Sequence, residues 1–302
     1  MRFIKSSVEI VAENYSILDG YKHVEKAARN CYKSEDRIDD TSWKRMLNIL
    51  EGNHHFSPLE HFTIYLTVSR DDLDAFLKII DHYEFNPFSK VNIFDNTAYV
   101  TTNFRVIVEN KWQDDLNYFT IPTKHHERRI TVKVNCSIGV SREWNRHRTM
   151  SISEQSTRYC NYTKGKFGSQ ITYVIPQWIY NRQESWKNST DSLDGSSLEY
   201  IENLDGDGLL NELSCHDKGV AAWMEHLENA EQNYSYLINE HNFKPQEARG
   251  ILPLDTATCV FYTAFVSDWE KFFKLRCSGA AHPDIKVLAD SLHQQFEDKK
   301  LI

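Results

Sequence analysis

Between Arg146 and Arg158 the chain sets three arginines and a histidine within thirteen residues, a density that a fold must leave at its surface or place around an anion. The surrounding protein is acidic, with 43 Asp and Glu against 35 Lys and Arg and a formal net charge of −8. The nearby acids, Glu143 and Glu154, are too few to neutralise the cluster. Arg142 and Arg146 lie four apart, so on one helix they repel each other by about a few tenths of a kcal/mol. Arginine clusters are ordinarily solvated faces or exposed ion pairs worth about 0–1 kcal/mol. The shortage of acids favours the alternative of a bound anion, and phosphate suits the planar guanidinium fork.

Apolar spacing sets the architecture around this segment. Val24, Ala27, Ala28 and Cys31 predict a helix over 20–33, and Trp43, Met46, Leu47 and Leu50 predict another over 41–52. After a turn at Ser57-Pro58, alternation from Phe62 to Val68 predicts a strand, followed by a helix over 71–83, an alternating strand over 97–108 and a polar stretch over 109–129. Ile130 to Val134 reads as a strand. Ser137 then N-caps a helix running to Arg148, which carries Arg142, Glu143, Arg146 and His147 on successive turns. The Ser-Ile-Ser-Glu stretch ends that helix, and Glu154 to Arg158 follows as a loop whose hydroxyls and amides suit a phosphate.

Residues 181–216, rich in Ser, Asn, Asp and Gly, read as a polar excursion. A helix through Val220, Leu227 and Ile238 follows, then a short helix opened by Pro245, with Arg249 just before Leu252-Pro253. Thr258 to Phe265 reads as a strand. Ser267-Asp-Trp-Glu270 has the pattern of a capping box that opens a helix to Arg276, and a last helix spans 283–297. Helices and strands are interleaved without a regular βαβ repeat, so the expected class is α+β: a mixed or antiparallel sheet with packed helices, as one domain over 1–302. No Gly-x-Gly-x-x-Gly follows a strand, which excludes a Rossmann dinucleotide site.

Other function classes are bounded by composition. Six cysteines without a Cys-x-x-Cys pair give no zinc or redox motif, and His54, His55 and His61 lack a second ligand cluster, so no metal is expected. An acidic chain lacks the basic face that nucleic acid requires. No apolar run reaches the length of a membrane span, and the N-terminus lacks a signal-peptide core, so the expected setting is the cytoplasm.

The string Arg146-His147-Arg148, seven residues, Ser156, extended through Glu154, Gln155, Thr157 and Arg158 to Tyr159, resembles the signature of the flavin-dependent thymidylate synthases. Further blocks fall in that family's order: Ala27-Ala28-Arg29, His55-Phe-Ser57-Pro58-Leu-Glu60-His61, Ala248-Arg249-Gly-Ile-Leu252-Pro253, and Phe272 to Arg276 followed by Ala281-His282. The resemblance implies methylation of dUMP to dTMP, using FAD, NADPH and methylene-tetrahydrofolate, by a homotetramer with shared active sites. It assigns Ser57, Glu60, Arg146, His147, Arg148 and Glu154 to the flavin. It assigns Glu143, Arg146, Glu154, Gln155, Ser156, Thr157, Arg158, Arg249 and Arg276 to the nucleotide. Arg276 takes the catalytic role, as a fixed charge stabilising the N3/O4 edge of the ring while C5 is methylated, and no nucleophilic cysteine is needed. Cys277, next to Arg276, is the one cysteine placed to act otherwise.

The chain also departs from the family. Glu143 stands where Gln is usual, and this carboxylate would repel the nucleotide phosphate unless Arg142 or Arg158 pairs with it. An Asn-x-Arg pair and a later Asn that hold FAD align with Phe265, Ser267 and Lys271, and a Gln aligns with His282. Lys271 is then the expected partner of the pyrophosphate. The segments 69–129 and 181–216 look inserted. These departures leave two alternatives open: transfer of another one-carbon unit such as hydroxymethyl to a pyrimidine nucleotide, or nucleotide binding without flavin chemistry.

Overall fold

The computed structural model describes residues 1–13, 15–165, 168–189 and 206–302. Two short strands, β1 (Arg2–Ile4) and β2 (Ser7–Ile10), precede helix α1 (Ile17–Tyr32), whose first turn is capped by the Ser16 hydroxyl accepting from the Asp19 amide at 3.1 Å. Helix α2 (Ser42–Gly52) and a 3₁₀ turn (Ser57–His61) lead into β3 (Thr63–Ser69), α3 (Leu73–Tyr83), β4 (Lys90–Phe94), β5 (Thr97–Asn103) and α4 (Phe104–Asn110). Next come β6 (Arg129–Ser137), α5 (Ile138–Trp144), β7 (Ser151–Glu154), β8 (Thr172–Val174), α6 (Gln177–Ser189), α7 (Gly206–His216), α8 (Lys218–Asn239) and α9 (Pro245–Ala248). Strand β9 (Ala257–Phe265), α10 (Val266–Arg276) and α11 (Pro283–Asp298) close the sequence of elements.

The strands form an antiparallel sheet in the order β2-β6-β9-β7, a second antiparallel sheet β3-β5-β4, and a parallel pair β1-β8. This is the α+β class expected from the interleaved pattern. Alternation divides the four-stranded sheet into unlike faces. Ile130, Val132, Val134, Val260 and Tyr262 join α5, α10 and α11 in an apolar core where Trp144, Trp269, Phe272 and Phe296 are fully buried. Each such aromatic or aliphatic chain contributes about 1.5–3 kcal/mol.

The other face is buried but polar. Asn30 of α1 donates to the carbonyls of Ser153 and Cys259 at 3.0 and 2.9 Å, and His61 bonds Thr263 Oγ1 at 2.8 Å. Gly20 lets the Phe62 ring lie against α1, since a Cβ there would meet that ring at 2.0 Å. These contacts fix α1 and the 3₁₀ turn against the edge of the sheet that carries β7.

Several expected elements differ. The alternation over 97–108 is strand only to Asn103, whose side chain accepts from the Val106 amide at 3.2 Å and starts α4. Helix α5 stops at Trp144 rather than Arg148. Beyond it Asn145 is held sideways by the Tyr262 hydroxyl at 2.8 Å, and His147 N reaches Trp144 O in a tight turn. The Ser151–Glu154 stretch is a strand, not a loosened helix end, because it pairs with Val260 to Thr263 of β9.

The Ser267 capping box does not form. The helix begins one residue before Ser267, which turns its hydroxyl to Glu127 Oε1, while Val266 N bonds Arg128 O at 2.9 Å. Within 181–216, α6 and α7 replace the expected irregular excursion, anchored by buried Ile179, Leu210 and Leu213 against Val220. The rest of that excursion lies outside the described residues.

Candidate active site

A cleft of about 610 Å³ opens where α5, the end of β7 and the turn after α9 meet. Ser141 and Arg142 supply one wall, Glu154 to Thr157 the floor, and Arg249 the opposite rim. The Glu154 carboxylate is satisfied within the chain. It accepts from Ser141 Oγ at 2.8 Å, Thr258 Oγ1 at 3.2 Å and Asn145 Nδ2 at 3.4 Å. Most loop amides are engaged too: Gln155 N bonds Cys259 O and Ser156 N bonds Cys31 O, both at 2.9 Å, while Arg158 N leans on Ser156 Oγ at 3.3 Å. The expectation of an amide cradle therefore holds at most for Thr157, and side chains carry the polar chemistry.

Those side chains are cations. Arg142, Arg158 and Arg249 are exposed and have no carboxylate partner among the described residues. Arg249 reaches only Thr157 Oγ1, at 3.5 Å, and Arg158 lies over the Tyr159 ring at 5.5 Å. Grouping unpaired guanidiniums around hydroxyls in an acidic protein is unfavourable until an anion arrives.

Arg276 stands apart from this cleft. Its Nε donates to His147 Nε2 at 3.1 Å, its NH1 to Glu143 Oε2 at 3.0 Å and its NH2 to the Glu143 carbonyl at 2.8 Å. The partner of Glu143 is thus Arg276 rather than Arg142 or Arg158. Because His147 Nε2 accepts, its proton sits on Nδ1 and the ring is neutral. Burial, followed by the charges of Arg276 and Arg146, lowers its pKa and favours that form. None of Glu143, His147 and Arg276 lines the cleft. Successive helix residues diverge by about 100°, so Arg142 and Glu143 serve different flanks of α5.

The residues assigned to a flavin are divided: Glu154 lines the cleft, His147 meets Arg276, and the others lie in the 3₁₀ turn and in the turn before β7. Ser57 and Glu60 occupy the 3₁₀ turn, and Arg129 clips this turn to the start of β7 by donating to Glu60 O and Ser151 Oγ, both at 3.0 Å. Arg146 and Arg148, in the turn before β7, are exposed and lack carboxylate partners among the described residues. Sequence reasoning missed Arg129, which is 5% exposed and whose pKa burial lowers to about 10. Its signal was an arginine at an inward position of a strand, opposite in face to Ile130. Arg105 was missed as well, although it pairs with Glu60 at 2.7 Å.

Near the C-terminus the aligned positions are otherwise occupied. Phe265 is buried beneath Arg129 and Lys90, Ser267 serves Glu127, and Lys271 pairs with Asp268 at 3.0 Å. His282 caps α11 through the Asp284 amide at 3.3 Å. Cys277 is a poor nucleophile, since burial and then Asp290 push its thiol up to about 11. His61 is turned inward to Thr263, and no group of three or more His, Cys, Asp or Glu side chains among the described residues is arranged to hold a metal.

Comparison with known proteins adds a family to this geometry. The family described as thymidylate synthase complementing protein, Thy1, matches residues 122–299. A flavin-dependent thymidylate synthase of Aquifex aeolicus (strain VF5) is 21% identical over an alignment of 323 positions covering 90% of this chain and 93% of that protein. One from Synechocystis sp. (strain PCC 6803) is 25% identical over 167 positions, 55% of this chain and 65% of that protein. Among solved structures, the UMP/dUMP methylase PolB from Streptomyces cacaoi bound with 5-Br dUMP is 18% identical, with 99% of this chain and 93% of that one covered at a TM-score of 0.42.

Proposed function

The chain belongs to the thymidylate synthase complementing protein family, and from that premise we propose that it methylates dUMP to dTMP, with methylene-tetrahydrofolate as carbon donor and NADPH-reduced FAD as hydride source. The observation that carries the reading is the pair Arg142 and Arg249, without carboxylate partners among the described residues, lining one cleft with Ser156 and Thr157, with Arg158 next along the same loop. Two charges on a nucleotide 5′-phosphate match that set in sign and in donor geometry. Glu154, held by three donors, offers a fixed acceptor beside it for a sugar hydroxyl.

Arg276 has a different task. Making C5 of the ring nucleophilic builds negative charge on the N3/O4 edge, and a guanidinium already locked in place stabilises that charge without reorganising. Three of its five N–H groups are engaged by His147 and Glu143, which leaves two for the ring. Arg276 and the phosphate cleft belong to different flanks of α5, so we place a complete pocket between copies of the chain, in a homotetramer whose subunits share active sites.

For FAD the fit is uneven. Arg146 and Arg148, without carboxylate partners among the described residues, lie in the turn before β7, whose first residue is tied by Arg129 to the Ser57–His61 turn, and suit an anionic cofactor, whereas Phe265, Ser267 and Lys271 have partners within the chain. Bound and reduced, FAD supplies the hydride that completes the methyl group.

The test is the product. Protein incubated with FAD, NADPH, methylene-tetrahydrofolate and dUMP should be yellow, lose flavin absorbance on NADPH addition, and yield a nucleotide heavier than dUMP by one CH₂. A hydroxymethyl product would instead establish transfer of a different one-carbon unit. A colourless protein that binds dUMP and takes up no FAD would leave only nucleotide binding.

A further inference from the structure

Glu60 is half-buried in the Ser57–His61 turn, where Pro58, Leu59 and His61 are buried, and its side chain is not free. The guanidinium of Arg105 donates to Glu60 Oε1 at 2.7 Å, and through its other terminal nitrogen to Glu109 at 2.9 Å. Arg105 is the second residue of α4, in the segment 69–129 read from the sequence as inserted. That segment is attached close to the contact: Phe104 N bonds Phe62 O at 2.9 Å, two residues after Glu60 in the chain, and the Asn103 side chain caps α4. The backbone of the same residue is held from the other side, because Glu60 O accepts from buried Arg129. The second carboxylate oxygen has no partner among the described residues, and the side chain keeps 23% of its exposure.

We propose that Arg105 is a positioning residue for the cofactor site: it holds the Glu60 carboxylate with one oxygen presented outward, and segment 69–129 is thereby a buttress of the flavin surface. The proposal rests on the functional reading above, which puts Glu60 against FAD. A lone carboxylate in a surface turn samples several rotamers and is ordered only when a ligand binds. One held beforehand by Glu60–Arg105 and Arg105–Glu109 pairs binds with that ordering already done. Arg105 acts through Glu60 rather than on phosphate itself, since both its terminal nitrogens already face carboxylates.

The experiment is titration of flavin-stripped protein with FAD, read by quenching of flavin fluorescence and independent of turnover. Arg105→Ala should weaken FAD binding by about threefold to tenfold, and Arg105→Lys should recover part of the loss. Introduced into a Glu60→Ala background, Arg105→Ala should cost nothing further, because its partner is already gone. The thermal midpoint of the stripped protein separates this from unfolding, and Arg105→Gln serves if the alanine variant does not fold. Unchanged FAD affinity in Arg105→Ala overturns the proposal, and so do losses that add in the double variant. Wild-type protein that takes up no FAD overturns the functional reading itself, and the proposal with it.

Discussion

The two flanks of α5 carry arginines in opposite electrostatic states. On one, Arg142 and Arg249 line the cleft without a carboxylate partner among the described residues, and Arg249 reaches only the Thr157 hydroxyl. On the other, Arg276 spends three donors on its own chain and has Glu143 against it at 3.0 Å. Unpaired cations attract an anion from a distance and are satisfied when it binds. A tethered, partly neutralised cation contributes little attraction but presents its remaining donors in one fixed direction. On the function proposed, the first arrangement serves binding and the second serves chemistry.

That contrast makes the largest expected effect kinetic. Arg276→Ala should lower kcat by about 10²–10³, the size of losing one donor aimed at developing charge, with FAD retained and KM for dUMP little changed. Steady-state kinetics on flavin-loaded protein measures it. Turnover near the wild-type rate would mean that Arg276 is only the helix C-terminal arginine its position on α10 allows.

On the open flank the expected loss is smaller and falls in the other constant. Arg249→Ala should raise KM for dUMP by about tenfold, as expected for one charge-assisted contact, while kcat at saturation stays within about threefold. Raising the salt concentration should narrow the difference, because Arg249 is exposed. If kcat falls and KM holds, the division of labour between the flanks is wrong.

Much of this was legible in the chain. The two central strands of the main sheet followed from alternation at 130–134 and 258–265, and the segment around Arg146 to Arg158 stood out by its excess of positive charge. Local patterns failed where a distant partner decided the outcome. Ser151 to Glu154 has no strong strand pattern, and it is a strand because β9 offers it an edge. Ser267 satisfies a capping rule, yet Glu127, 140 positions away, takes its hydroxyl. The links Glu143–Arg276 and Glu60–Arg105 likewise join residues 133 and 45 positions apart. Spacing along one helix cannot encode such pairs.

The smallest effect tests how far the neutralisation of Arg276 matters. Glu143→Gln keeps an acceptor for the Arg276 NH1 group and removes the negative charge, leaving the Glu143 backbone carbonyl and His147 contacts in place. An ion pair of this partly exposed kind is worth about 0–1 kcal/mol, so kcat should move by less than about fivefold. The direction should be upward, because an uncompensated guanidinium stabilises an anionic ring edge better. Glu143→Ala, which removes the acceptor as well, should instead lose activity relative to Glu143→Gln. If the glutamine variant falls as far as Arg276→Ala, then the charge of Glu143 is itself required. The closed flank would then be an acid–base pair acting as a unit, not an arginine held still by its neighbours.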